Sequence, residues 1–185
     1  MSDEKGFTLW FTGLSGAGKT TISKLVEDEL RARGSRLEIL DGDVVRENLS
    51  KGLGFSKEDR DTNIERIGWV AGRLVRHGAA VLCAAISPYE ETRARARETV
   101  EEFGPFIEVY VKASVEECAR RDVKGLYEKA LRGEIKGFTG VDDPYEEPAS
   151  PELVIDTEEH DAEESARLIV DKLEQLGLVE DGVAA

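Results

Sequence analysis

The sequence has few basic residues, few cysteines and no long hydrophobic run. Its 185 residues include 25 Lys and Arg against 39 Asp and Glu, which gives a formal net charge of −14 at pH 7. A protein that binds the phosphates of nucleic acid needs a basic face, so this charge excludes a non-specific nucleic-acid binder. The lack of any apolar run of about 20 residues predicts no membrane partner. The polar residues at the start of the chain predict no signal peptide.

Cysteine is too scarce to stabilise the fold by cross-links. The two cysteines, Cys83 and Cys118, lack the number and spacing of a disulfide framework or a metal site. We expect both to be buried free thiols in a reducing compartment, which predicts a cytoplasmic location. The length and the 40% hydrophobic content are typical of one globular domain. We therefore predict a single domain over residues 1–185, with its core at about 6–176.

A glycine-rich motif near the start of the chain organises the sequence. Residues 13–20 read GLSGAGKT and fit the pattern G-x-x-x-x-G-K-[ST] of phosphate-binding loops, or P-loops. The apolar stretch 7–12 predicts a buried strand before the loop, and the amphipathic stretch 21–33 predicts a helix after it. In that context the loop N–H groups bind phosphate oxygens, Lys19 contacts the terminal phosphates and Thr20 ligates Mg²⁺. The predicted nucleoside triphosphate site consists of Gly13, Leu14, Ser15, Gly16, Ala17, Gly18, Lys19 and Thr20.

Two carboxylates follow the next predicted strand. Residues 36–40 form this strand, which ends at the sequence Asp-Gly-Asp, so that strand, helix and strand make a parallel βαβ unit. Ligands bind at the carboxyl ends of such strands, which predicts that Asp41 and Asp43 lie near the phosphates. A carboxylate there binds Mg²⁺ or accepts a proton from an attacking hydroxyl. A solvated turn is the alternative, because Asp-Gly is common in turns.

The long helical pattern after Ser56 carries two polar residues whose role the pattern leaves open. Ser56 and Asp59 resemble a capping box at its start. Arg60 and Asn63 recur at helical spacing and are either site residues or ordinary charges of a surface helix. The predicted apolar stripe of this helix consists of Ile64, Ile67, Trp69, Val70, Leu74 and Val75.

Strand and helix patterns continue to alternate through the second half of the chain. Residues 79–86 predict a strand buried on both faces, followed by the turn at Ser87 and Pro88. Further strands are predicted at 106–111 and 153–156, and an amphipathic helix at 162–176 with Leu168, Ile169, Leu173 and Leu176 facing inward. This alternation predicts an α/β fold, a parallel sheet flanked by helices in three layers.

Residues 120–140 differ in composition from the acidic chain around them. Six Lys and Arg are interleaved with four glycines and few apolar residues. In a phosphate-binding protein, such a basic and glycine-hinged segment predicts a mobile lid over the phosphates. An exposed basic loop without a function is the alternative.

These motifs together resemble the adenylylsulfate kinases, also called APS kinases, which are P-loop kinases. The resemblance spans residues 6–176 and departs from the family at no motif position. The matching motifs are GLSGAGKT (13–20), LDGD (40–43) with Arg46, LGFSxxDRxxN (53–63), ISP (86–88), RDVKGLY (121–127), GEIKGFTG (133–140) and PELVI (151–155).

The resemblance implies transfer of the γ-phosphate of MgATP to the 3′-hydroxyl of adenosine 5′-phosphosulfate (APS), giving PAPS and ADP in sulfate assimilation. It implies that Lys19, Asp41 and Ser87 are the catalytic set, that Thr20 and Asp41 bind Mg²⁺, and that Arg121 borders the ATP adenine. It also implies a homodimer and a functional link to ATP sulfurylase. The implied APS pocket consists of Asp43, Arg46, Phe55, Arg60, Asn63, Ile86, Ser87, Lys124, Gly137 and Phe138.

The resemblance leaves open the role of Ser87, the identity of the substrate and whether the chain is an active enzyme. The family has been described with a phosphoserine intermediate at the position of Ser87, but direct in-line transfer needs none, and we expect a binding role. Another small hydroxylated molecule, such as a nucleoside or sugar acid, is the alternative kinase substrate. A catalytically silent nucleotide-binding partner of ATP sulfurylase is the alternative from a different class of protein.

Overall fold

The structure, a computed structural model, describes residues 6–180. Strands and helices alternate along the chain as the sequence predicts. The strands are β1 (Phe7–Thr12), β2 (Leu37–Asp41), β3 (Ala80–Ala84), β4 (Phe106–Lys112) and β5 (Leu153–Asp156). The helices are α1 (Lys19–Ala32), α2 (Gly42–Asn48), α3 (Lys57–Arg76), α4 (Glu90–Glu101), α5 (Val115–Arg121), α6 (Leu126–Leu131) and α7 (Ala162–Gln175).

The five strands form one parallel sheet in the order β2-β3-β1-β4-β5. Strand β1 is central and buried along its whole length, with Leu9 opposite Leu82 on one side and Ile107 on the other. Four apolar and two β-branched threonine side chains suit this burial, because helices cover both faces of a parallel sheet. The three-layer α/β fold predicted from the sequence is confirmed.

Two hydrophobic clusters lie on opposite faces of the sheet. One packs Leu9 and Phe11 of β1 against α1 and α7, and the other packs Trp10 against α3 and α4. Because β1 contributes to both clusters, its carboxyl end, where the P-loop begins, is held between two packed layers. The loop that follows is therefore attached to the most rigid part of the molecule. Among the described residues, no helix is long and apolar enough to cross a membrane.

The helix patterns mispredict a few inward-facing residues. Trp69 is 57% exposed, and Leu168 and Leu176 are 37% and 45% exposed. Helix α3 instead faces α4 with small residues: a Cβ added at Gly68 would lie 3.0 Å from the side chain of Ala96. Hydropathy selects large apolar residues, whereas closely packed helices select small ones, so the prediction for Trp69 was wrong. In α7 the buried residues are Ala166, Ile169, Val170 and Leu173.

Candidate active site

A cavity of about 520 Å³ lies at the carboxyl ends of β1, β2 and β3. The P-loop forms one end of it, and the residues after β2 and β3 form its floor. From the segment 120–140, the lining residues are Asp122, Val123, Lys124, Leu126, Tyr127, Phe138 and Thr139. Most of the predicted site residues therefore meet in one cleft at the edge of the sheet where parallel α/β folds bind ligands.

The P-loop holds its lysine inside the loop. Lys19 Nζ donates hydrogen bonds to the carbonyl oxygens of Gly13 (2.8 Å) and Leu14 (2.7 Å), and the side chain is buried. Burial lowers the pKa of Lys19 from 10.5 to about 8. Gly13 is required by close approach, because a Cβ there would lie 2.3 Å from the carbonyl oxygen of Val111. The loop thus presents a desolvated cation at the position where triphosphates bind.

Thr20 and Asp41 lie side by side at the start of α1 and the end of β2. Thr20 Oγ1 donates to Asp41 Oδ2 at 3.0 Å, while Asp41 Oδ1 accepts from the backbone N–H of Asp43 and caps α2. This donor set fits Mg²⁺, which takes one or two protein oxygens and completes its octahedron with phosphates and water. The described residues contain no group of three or more His, Cys, Asp or Glu that could hold a metal alone. A Mg²⁺ held here therefore needs the phosphates of a nucleotide.

The walls of the cleft outside the P-loop combine aromatic rings with cations. The guanidinium of Arg46 lies 4.5 Å from the ring centroid of Phe55, which is 67% exposed. Burial lowers the pKa of Arg46, and the nearby charge of Arg60 lowers it further. Phe138 packs edge-on against Tyr127 with a centroid distance of 4.9 Å, and both rings line the cavity. Lys124 forms an ion pair with Asp43 across the mouth of the cleft.

Arg60 and Asn63 of α3 are buried, at 8% and 4% exposure. The surface-helix alternative for these two residues is therefore wrong. Arg60 binds the segment above it: Nε donates to the Phe55 carbonyl at 2.9 Å, Nη2 to the Gly137 carbonyl, and Nη1 to the Thr139 hydroxyl. Asn63 lines the cavity, and its Oδ1 is buried without a hydrogen-bond partner. A buried and unpaired amide oxygen facing a cleft is costly, which points to a donor on a bound ligand.

Ser87 is buried in the turn after β3 and lines the cavity. Its hydroxyl accepts from Trp10 Nε1 at 3.1 Å and donates to the Ala85 carbonyl at 3.3 Å. Its φ of 43° lies in the left-handed region, which residues other than glycine rarely adopt. Neither of these partners is a His, Lys or carboxylate, the groups that activate a serine nucleophile.

Segment 120–140 is better anchored than its composition predicts. Residues 126–131 form helix α6, in which Tyr127 and Ala130 are buried. The hydroxyl of Tyr127 donates to the Ser15 carbonyl at 2.8 Å and so connects the segment to the P-loop. The segment has few apolar anchors, as predicted, but Tyr127 attaches it to the hydrophobic core beside the P-loop. Its mobility stays a prediction.

The remaining predicted residues border the cleft without lining it. Arg121 Nη1 lies 3.4 Å from the Gly16 carbonyl and 3.0 Å from the Thr157 hydroxyl, behind the P-loop. Gly137 contributes its carbonyl to Arg60, while Gly13, Leu14 and Ala17 support the loop from within. Further residues line the cleft that were not predicted to be site residues, although several of them lie within the matching motifs: Thr21, Gly42, Ile64, Ala84, Ala85, Pro88, Asp122, Val123, Leu126, Tyr127 and Thr139.

Comparison with known proteins identifies one family over most of this chain. The sequence model of the adenylylsulphate kinase family matches residues 5–156. An adenylyl-sulfate kinase from Rippkaea orientalis is 57% identical over 181 residues, 98% of this chain and 98% of the relative. A probable bifunctional SAT/APS kinase 2 from Sorangium cellulosum is 58% identical over 174 residues, 94% of this chain and 29% of that relative. The structure of the Mycobacterium tuberculosis APS kinase in complex with AMPPNP and APS is 44% identical, covers 92% of this chain and 98% of that one, and has a TM-score of 0.89.

Proposed function

This chain belongs to the adenylylsulphate kinase family, and we propose that the cleft described above is where its activity takes place. The activity is transfer of the γ-phosphate of ATP to the 3′-hydroxyl of APS, with PAPS and ADP as products. One observation carries the assignment of the cleft. A single cavity joins the buried lysine of a P-loop to a wall with two aromatic rings, Phe55 and Phe138. That combination suits two nucleotides that meet end to end.

The P-loop half of the cleft binds ATP. The N–H groups of residues 13–20 bind its phosphate oxygens, and the ammonium of Lys19 moves from loop carbonyls to the terminal phosphates. This charge stabilises the oxygens of the phosphoryl group during transfer, when little covalent chemistry is required of the protein. Arg121 lies beside the loop, at the edge where the adenine of ATP leaves the cleft.

The second half of the cleft binds APS. Phe55 and Phe138 stack on its adenine, while Arg46 and Lys124 pair with the phosphosulfate. Asn63 receives a hydrogen bond at its unpaired Oδ1. Arg60 shapes the pocket by holding Phe55, Gly137 and Thr139, because the nitrogens of its guanidinium are already hydrogen-bonded to these protein acceptors. Ile86, Ser87 and the backbone near Gly137 complete the pocket wall, and Asp43 releases Lys124 when the substrate binds.

Asp41 orients the attacking 3′-hydroxyl. It lies at the carboxyl end of β2 beside Thr20, between the phosphate half and the acceptor half of the cleft. Its Oδ1 is used by the helix cap, so Oδ2 is the oxygen that accepts the proton of the hydroxyl or a metal-bound water. Thr20 and Asp41 are the protein ligands for Mg²⁺, which neutralises phosphate charge when bound. Ser87 contributes to binding, and transfer proceeds directly between the two substrates.

The setting of the enzyme follows from the same assignments. The bifunctional relative supports a functional link to a sulfurylase, which supplies APS. We place the enzyme in the cytoplasm, since Cys83 and Cys118 are both free and buried. The family resemblance supports a homodimer.

The decisive experiment compares acceptors. Purified protein is supplied with MgATP and, separately, with APS, AMP, adenosine or gluconate, and both ADP release and the phosphorylated product are measured. APS alone should give rapid turnover with a product phosphorylated at the 3′-position. Preference for another acceptor would contradict the proposed pocket, and ATP binding without turnover of any acceptor would favour the silent partner of ATP sulfurylase.

A further inference from the structure

The turn after β3 forms part of the acceptor wall in a backbone conformation that needs support. Ile86, Ser87 and Pro88 all line the cleft, and Ser87 adopts a φ of 43°. A serine in the left-handed region is disfavoured by contacts with its own Cβ, so neighbouring groups must hold it there. The groups that hold it also decide where the acceptor nucleotide rests.

Arg93 of helix α4 lies directly behind this turn and outside the cleft. Its side chain is 2% exposed, although arginine is rarely buried in full. Nη1 donates to the Ser87 carbonyl at 2.7 Å, and Nη2 donates to the Glu146 carbonyl at 2.7 Å and to the carboxylate of Glu90. Nε lies 3.0 Å from Glu108 Oε1 of strand β4. One guanidinium therefore joins the turn, a distant loop and the sheet.

Several other groups hold the same turn. Thr12 Oγ1 donates to the Ile86 carbonyl at 2.7 Å and is also bonded to the hydroxyl of Tyr145 at 2.8 Å. The N–H of Glu146 donates to the Pro88 carbonyl at 2.8 Å. The carbonyl groups of all three turn residues are thus fixed from behind, which leaves the cleft side of the turn free for a ligand. Arg93 is the one fully charged donor in this set.

Stability alone does not explain an arginine at this position. A buried ion pair such as Arg93 with Glu108 contributes little compared with a well-packed apolar pair of the same volume. What arginine adds is a planar fork that serves several acceptors in fixed directions, which a lysine ammonium cannot reproduce. The geometry of the fork matters most at the Ser87 carbonyl, where the backbone is under strain.

We propose that Arg93 is a positioning residue for the acceptor nucleotide, acting through the carbonyl of Ser87 and the wall formed by Ile86, Ser87 and Pro88. The inference rests on the proposed function of the cleft. It assigns Arg93 to APS binding and not to ATP binding, because none of its contacts reaches the P-loop.

The test is the Arg93→Lys variant, which keeps the positive charge and loses the planar guanidinium with its several fixed donors. The KM for APS should rise about tenfold, because loss of one hydrogen bond costs about 1.4 kcal/mol and that energy corresponds to a factor of ten. The KM for ATP should stay within about twofold of the wild-type value. Arg97→Lys is the matched control: Arg97 lies on the same helix, pairs with both oxygens of Glu152 and makes no contact with the turn. It should leave both KM values unchanged.

Glu108→Gln separates positioning from stability, because it removes the ion pair but leaves the fork and the turn in place. It should lower the melting temperature and leave the KM for APS within about twofold of wild type. If Arg93 had only a structural role, Arg93→Lys would raise the KM values for APS and ATP together. Alternatively, Glu108→Gln would raise the KM for APS as much as Arg93→Lys does. An unchanged KM for APS in a folded Arg93→Lys variant would also overturn the inference.

A second variant keeps the inference testable if Arg93→Lys does not fold. Thr12→Val removes the hydrogen bond to the Ile86 carbonyl with almost no change in volume, and it should raise the KM for APS at least threefold more than the KM for ATP. Equal changes, or none, would count against the inference. Wild-type turnover of APS is measured first, so failure of the proposed function is seen in the wild type and failure of the inference in the variants.

Discussion

Raising the pH above 8 should weaken ATP binding, because the Lys19 ammonium then loses its proton in the nucleotide-free enzyme. Burial is the largest cause that lowers the pKa of Lys19 from 10.5 to about 8, and the carbonyls of Gly13 and Leu14 supply no negative charge to offset it. The phosphates of ATP do supply that charge, so the pKa rises again in the complex. ATP binding must therefore be accompanied by proton uptake wherever the free lysine is neutral.

The magnitude follows from the size of the pKa change. At pH 9, one unit above a pKa of about 8, roughly a tenth of the free enzyme carries the Lys19 charge. The Kd for nucleotide should then be about tenfold higher than at pH 7, a loss of about 1.4 kcal/mol. Proton uptake should rise from near zero at pH 7 to about one per nucleotide at pH 9.

Calorimetric titration with AMPPNP between pH 7 and 9.5, in buffers of different ionisation enthalpy, measures both quantities. Excess Mg²⁺ in every titration keeps the terminal phosphate ionised, so that its own titration does not interfere. Lys19→Arg is the control, because its guanidinium stays charged and its affinity, although lower, should not depend on pH. A wild-type Kd that is flat to pH 9.5, or an equal slope in Lys19→Arg, would refute the reasoning.

Three further predictions concern the acceptor side and the segment over it. Asp41→Asn should lower kcat more than it raises the KM for APS. The N-cap of α2 is retained, because asparagine also caps helices. An unchanged kcat would assign the orientation of the attacking hydroxyl to Asp43. Ser87→Ala should keep substantial turnover. Isolation of a kinetically competent phosphoenzyme from the wild type, together with an inactive Ser87→Ala variant, would contradict the binding role of Ser87. Amide hydrogen exchange across residues 124–140 should slow when ADP and APS bind, whereas equal, strong protection with and without these ligands would show that the segment is rigid. Lys124→Ala should raise the rate of ATP hydrolysis relative to phosphoryl transfer to APS.

The order of strands and helices could be predicted because it depends on local patterns. A buried strand, a glycine loop and an amphipathic helix each have a period or composition that a few residues determine, and β1 and α1 lie where these patterns place them. The nucleotide half of the site was predictable for the same reason, since the P-loop is contiguous in sequence. Parallel topology then brings Asp41 to the same edge of the sheet.

Features that depend on distant residues could not be predicted from these patterns. The burial of Arg60 is due to acceptors about 80 positions away, in Gly137 and Thr139. The exposure of Trp69 is due to the close approach of α4, which hydropathy along α3 does not record. Tyr127 was overlooked because its partner, the Ser15 carbonyl, is a backbone group with no sequence signature. Only the resemblance to a family pointed to the acceptor half of the cleft.

The cations of the cleft show how an acidic chain can keep positive charge ready for two anionic substrates. Lys19 and Arg46 are held by backbone carbonyls, which satisfy their donors without neutralising them. Arg60 combines such carbonyls with the carboxylate of Asp143, whose Oδ2 lies 3.3 Å from Nη1. A phosphate that replaces such a carbonyl gains a stronger, charge-assisted hydrogen bond, so the exchange favours binding. Lys124 differs, because its partner Asp43 is a carboxylate that an anion must displace. The exposed pair of Lys124 and Asp43 therefore opposes the substrate, and Lys124 lies on the segment that we predict to be mobile.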